Sequence, residues 1–277
     1  MDANASLATS KEAMRLVGPL AGAGLYTWLG GGGVAVIDAL TFLVAAAALL
    51  ALSVREAAPV AEEGGWRREF MAGIHHIRDD RILKHTLLAT AMSLLVVGFM
   101  ESAVFAVADA FDRPASFVGV LVSVQGIGAI SGGLSASFLI RFRGEVAAVA
   151  GSMLTLALGL AICAAWASLT VVFVGVVVLG FALPVFIVAL TTLLQVRTPH
   201  QLMGRVSTAS EIILGTPQAL SIAVGAVLVS HIGYRDIYWI CATVIVASAA
   251  YLCIALRTNL AATPPVATAL RDPWRAD

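Results

Sequence analysis

Eight apolar stretches, at about 14–29, 34–54, 86–107, 117–140, 146–165, 169–194, 206–230 and 237–256, decide what this chain can fold into. A helix needs about 20 residues to cross a hydrocarbon core, and each stretch meets or approaches that length. Of the 277 residues, 60% are hydrophobic and 12% charged, well away from the make-up of a soluble domain. Inside a bilayer an unpaired backbone is costly, so each stretch reads as a helix. An all-α integral membrane protein with about eight spans follows.

Placement of charge gives the orientation. Lys and Arg number 17, as do Asp and Glu, so net charge points to no nucleic-acid partner. Lys11, Arg15, Arg55, Arg67, Arg68, Arg78, Arg81, Lys84, Arg141, Arg143, Arg197, Arg205, Arg257, Arg271 and Arg275 all fall on one side of the eight spans, and only Arg113 and Arg235 on the other. The positive-inside rule then puts both termini in the cytoplasm and the protein in the cell membrane as a multi-pass chain. Met1 to Ser10 lacks the basic start and apolar core of a signal peptide. Cys163, Cys241 and Cys253 lie in apolar stretches without metal-site spacing and read as packing residues.

Within this frame, Leu16–Leu25 is the most unusual helix. Gly18 and Gly22 form a G-x-x-x-G pair that admits a close neighbour, and Pro19 removes the bond to the Arg15 carbonyl. Gly30 to Gly33 predict a tight outer turn that folds the first two spans into a helical hairpin, residues 1–54. Residues 55–85 read as a linker ending in an amphipathic helix along the membrane surface, with Trp66, Phe70, Ile74 and Ile77 at helical spacing. His75, His76, Asp79 and Asp80 are explained by its solvated face, and no metal site is expected. Residues 86–257 form a six-helix bundle and 258–277 a tail. A second G-x-x-x-G, Gly128 and Gly132, predicts close contact in the fourth span. Gly18-Pro19 with Asp38, and Thr216-Pro217 with Asp236, are a faint repeat at an offset of 198 residues.

Ionisable groups inside spans require a cavity or a partner, because a charge at mid-bilayer costs at least about 2.5 kcal/mol. Glu101, in the outer half of the third span with apolar residues on every side, is the leading candidate for taking a proton from one side and releasing it to the other. A protonated Glu bonded to a neighbouring helix is the structural alternative. Glu211 either lines the cytoplasmic mouth or, as the preferred reading, pairs with Arg205. Asp38 reads as a helix cap or anchor. Gln125 and Gln218 can serve a substrate or bond across helices, and the sequence does not separate the two. No H-E-x-x-H, G-x-S-x-G or phosphate loop is present, so no catalytic residue and no cofactor is expected, and the chain reads as a non-enzyme.

Several of these strings carry a resemblance. Leu16-Val17-Gly18-Pro19-Leu20-Ala21-Gly22-Ala23 resembles the G-P-x-x-G-G element in the fifth span of major facilitator superfamily antiporters, departing from it at Ala23. Val36-Ile37-Asp38-Ala39-Leu40-Thr41-Phe42-Leu43 resembles the start of that family's sixth span. Arg141-Phe142-Arg143-Gly144 resembles the weaker copy of its cytoplasmic loop motif, and Thr198-Pro199 with Gly204-Arg205-Val206 the loop before its eleventh span. The likeness, to the bacterial drug and siderophore exporters in particular, implies helices five to twelve of a twelve-helix fold. It also implies proton-driven export of a small hydrophobic molecule. The first four helices would then be missing, through a late start, an interrupted gene or a genuinely short protein. A fragment of that kind that does not transport, or that oligomerises through its exposed first span, is the alternative.

Overall fold

The structure is a computed structural model that describes residues 2–51 and 66–256, with side chains for 25, 28–51 and 70–256. Among the described residues eight α-helices follow one another: α1 (Asp2–Ala51), α2 (Trp66–Asp79), α3 (Arg81–Ala110), α4 (Phe117–Arg143), α5 (Glu145–Ala165), α6 (Leu169–Arg197), α7 (Met203–Leu228) and α8 (Tyr234–Leu256). A 3-10 turn at His200–Leu202 leads into α7. Among the described residues, seven segments from Trp28–Ala51 to Tyr234–Leu256 are long and apolar enough to cross a membrane. The expected span at 14–29 is helical in its backbone, but its packing, with Gly18, Pro19 and Gly22, lies outside the described side chains.

The expected outer turn is shorter than the glycine run suggested. Gly31, Gly32 and Gly33 are helical, and the break is confined to Gly30, at φ 68° and ψ 173°. Glycine adopts such a conformation without a Cβ penalty. Each further residue freed from the helix would leave backbone groups to satisfy, which keeps the break to one position. A similar joint links α4 to α5 through Gly144 at φ 81°. Elsewhere the helices outrun their apolar cores: α3 starts at Arg81, capped by Asp80, whose Oδ1 accepts from the backbone N–H of Ile82 at 2.8 Å and of Leu83 at 3.0 Å.

Spatial neighbours are mostly not sequence neighbours. Helix α3 packs against α7 and α8 just as α6 packs against α4 and α5, and the two third helices, α5 and α8, pack on each other. The segments α3–α5 and α6–α8 are thus two three-helix repeats that interlock. Leu83, Leu87, Met153, Leu160, Leu193, Ile237, Ile245 and Leu252 fill the interior, while Phe105, Leu134, Phe138 and Ile254 face outward. Apolar residues on both sides are what a lipid surround permits. Helix α1 lies against α4.

Because lipid offers little penalty to an exposed Leu, small residues and close van der Waals contact hold these helices together. Gly128 and Gly132 of α4 meet the backbone of Val177 and Phe181 on α6, and Gly180 of α6 meets the backbone of Gln125. The predicted close contact at the second G-x-x-x-G is therefore with α6. Helix α2 turns its apolar face onto the bundle: Ile77 and Gly73 are buried, Phe70 and Ile74 half-buried, and Gly73 rests on the Arg205 backbone of α7.

Candidate functional site

The crossing of α3 and α7 is the place where packing and polar chemistry coincide. A Cβ added at Gly98 would fall 2.5 Å from the Ile222 nitrogen and 2.8 Å from the Ser221 side chain, and one at Gly225 would fall 2.8 Å from the Cα of Phe99. These glycines let the two backbones touch. Ser102 Oγ donates across the seam to the Ile222 carbonyl at 3.2 Å. Gly98 and Ser102, like Ser221 and Gly225, are four residues apart, so each helix brings one small-x-x-x-small pair to the seam.

Beside this seam, Gln218 Nε2 donates to Glu101 Oε1 at 3.2 Å. Glu101 follows Gly98 by less than one turn and Gln218 precedes Ile222 by about one, so the close approach sets both side chains at hydrogen-bonding range. Glu101 is exposed on the protein surface and Gln218 half-buried. Glu101 stands 20 residues into α3, about 30 Å from its start. Pro217, inside α7, removes the backbone bond to Ile213, so the turn that carries Gln218 lacks one helix restraint.

The remaining sequence candidates are not gathered at this pair. Gln125 lies half-buried on α4 with its backbone against Gly180, and no hydrogen bond joins it to Glu101. Glu211 is exposed on α7 seven residues before Gln218, about 10 Å along the same face. Six positions separate it from Arg205, about 120° around the helix. Arg141 and Arg143 are exposed in the last turn of α4. Gly204 is exposed with no atom near a Cβ, and Arg205 is half-buried. Asp38 sits within α1, exposed, and its carbonyl accepts from Thr41. Cys163 and Cys241 are buried, donating to the carbonyls of Val172 and Val96.

At the end of the bundle that carries Arg141, Arg143 and Arg197, a polar cluster escaped the sequence reading. Arg197 pairs with Asp80 Oδ2 at 3.2 Å, and its carbonyl accepts from His76 Nε2 at 3.0 Å, which places a proton on that nitrogen. His85 Nδ1 meets the Tyr251 hydroxyl at 2.7 Å, and Arg81 donates to the Ala255 carbonyl. These contacts join α2, α3, α6 and α8. His76 and Asp80, expected on a solvated helix face, instead both contact Arg197. At the opposite end Arg235 donates from Nε and Nη2 to the last carbonyls of α5, Ala164 at 2.8 Å and Ala165 at 3.0 Å. Asp80 was expected on a solvated helix face, and neither its cap on α3 nor its partner 117 residues away was read from the sequence.

The Major Facilitator Superfamily family model matches residues 3–209, about three-quarters of the chain. The chain belongs to the major facilitator superfamily. It is therefore a multi-pass membrane transporter with the all-helical fold of that family. No match was found among curated proteins. The matched stretch includes Glu101 and Gln125 but ends before Glu211 and Gln218, so the Glu101–Gln218 pair rests on the packing of α3 and α7 alone.

Proposed function

We propose that this transporter moves a small hydrophobic molecule outward across the cell membrane in exchange for inward-moving protons, as the drug and siderophore exporter branch does. The observation that carries the reading is Glu101: a carboxylate deep in an apolar helix, bonded to one side chain of a second helix and open on its other side. Such a group can take a proton when the cavity faces one solution and release it when the cavity faces the other. The basic end of the bundle, with Arg141, Arg143, Arg197 and Arg205, supports a cytoplasmic placement of that end and of both chain termini. Residues 1–54 are read as two helices of one bundle, 55–85 as the connection, 86–257 as the other bundle and 258–277 as a tail. Rocking of the two bundles about a midplane cavity then exposes Glu101 alternately.

Everted membrane vesicles test this. Uptake of a hydrophobic dye driven by an imposed proton gradient is the expected result, and Glu101→Gln should abolish the gradient dependence while the protein still inserts. Gradient-driven uptake equal in Glu101→Gln and the parent removes Glu101 from the mechanism.

A further inference from the structure

We propose that Gln218 is the positioning residue through which the protonation state of Glu101 is passed to α7. The proposal rests on Glu101 being the proton-binding group. A glutamine amide offers both donors and an acceptor, whereas an ionised carboxylate only accepts and a protonated one also donates. In the arrangement observed, Gln218 Nε2 donates to Glu101 Oε1, a bond that is stronger when the acceptor is ionised. When a proton from water binds the carboxylate, the new O–H needs an acceptor, and the Gln218 carbonyl supplies it once the amide turns over. The turn of α7 that must follow is the one freed by Pro217 and bounded by exposed Gly215 and Thr216. The Ser221 hydroxyl, one turn after Gln218 and in the seam beside Gly98, is buried without a partner.

Other charges stand away from the pair. On α7 the nearest in sequence is Glu211, two turns back, and on α3 it is Asp109, two turns on. Helix α8 bonds α3 through Cys241 at the Val96 carbonyl, and its charged groups, Arg235 and Asp236, lie in its first turn, with Arg235 held by the carbonyls of Ala164 and Ala165. The charged groups of α4, α5 and α6, namely Arg141, Arg143, Glu145 and Arg197, lie at the basic end, and so do those of α2. Within the spans, Gln218 is the group that meets the carboxylate of Glu101.

The test uses the whole protein in membranes and dicyclohexylcarbodiimide, an apolar reagent that modifies protonated carboxyls, with mass spectrometry of the Glu101 peptide across a pH series. Gln218→Met keeps the length and removes the amide. Losing a donor to the ionised form should raise the midpoint of Glu101 labelling by about one pH unit, while Gln125→Met should leave it in place. Gln218→Glu, which sets a second carboxyl beside the first, should raise it further and carries the test if Gln218→Met fails to accumulate. A cysteine at exposed Ala219 reads the movement of α7. Its maleimide reactivity, referred to the same cysteine in Glu101→Gln, should change with the Glu101 midpoint and stop doing so in Gln218→Met. A labelling midpoint unmoved by Gln218→Met and by Gln218→Glu, or an Ala219→Cys profile indifferent to Gln218, overturns the proposal. Gradient-independent transport with the midpoint shift intact overturns proton coupling and leaves the pair standing.

Discussion

Gly98→Ala places one methyl group in the α3–α7 seam and should reach the Glu101 carboxylate one turn away. The added carbon would sit 2.5 Å from the Ile222 nitrogen and 2.8 Å from the Ser221 Cβ and Oγ. Nonbonded carbons settle at about 3.5–4.0 Å, so the helices must part by about 1 Å at this point. The Gln218–Glu101 bond, 3.2 Å long, would stretch to about 4 Å, past the range in which an N–H···O contact counts as a hydrogen bond. Overpacking of this size costs about 1–3 kcal/mol, and the Ser102 bond across the same seam weakens with it. Three measurements follow: melting in detergent, gradient-driven uptake in everted vesicles, and the carbodiimide midpoint of Glu101. Melting should fall, uptake should drop, and the midpoint should rise by about the amount seen in Gln218→Met. The double variant decides the matter, because two changes that break one bond cannot add. A midpoint in Gly98→Ala/Gln218→Met that equals the sum of the two single shifts refutes the shared bond; an unchanged midpoint in Gly98→Ala refutes the geometric link itself.

The adjacent glycines of α4 offer a contrast within one helix: Gly132→Ala, whose methyl would press on the Phe181 backbone of α6, should destabilise the bundle by about 1–3 kcal/mol. Gly133→Ala points into open space and should leave detergent melting unchanged or slightly raised, and equal losses in the two would contradict the α4–α6 packing. At the basic end, Asp80 both caps α3 and pairs with a partly exposed Arg197. Asp80→Ala should therefore lower stability by about 0.5–2 kcal/mol, while Asp80→Asn, which keeps the cap and weakens only the ion pair, should cost about 1 kcal/mol or less. Thermal unfolding of the two variants in the same detergent distinguishes cap from pair.

How far one can read this protein from its residues depends on the range of the interaction. Helices in lipid form wherever an apolar run is long enough, so the spans, the short joints and the Asp80 cap are local properties. Glu101 was conspicuous for the same reason, being a lone acid among apolar neighbours. The joint at Gly30 was legible as a break but not as a break of one residue, because four glycines in a row carry no signal of where the helix resumes. The small-x-x-x-small pairs Gly98–Ser102 and Ser221–Gly225 were not singled out in the sequence, and a string of that kind does not name its partner.

What the tertiary structure decided is who meets whom. Gln125 and Gln218 are equivalent in sequence terms, each a lone amide in an apolar span, and only the crossing of α3 with α7 gives one of them a carboxylate to hold. Arg197 finds Asp80 only because α6 ends where α3 begins in space. Hydropathy depends on each residue and its immediate neighbours and so survives in the sequence. Helix pairing in a bilayer depends on the fit of two surfaces, with little hydrophobic preference to announce it, and becomes visible only when both surfaces are in place.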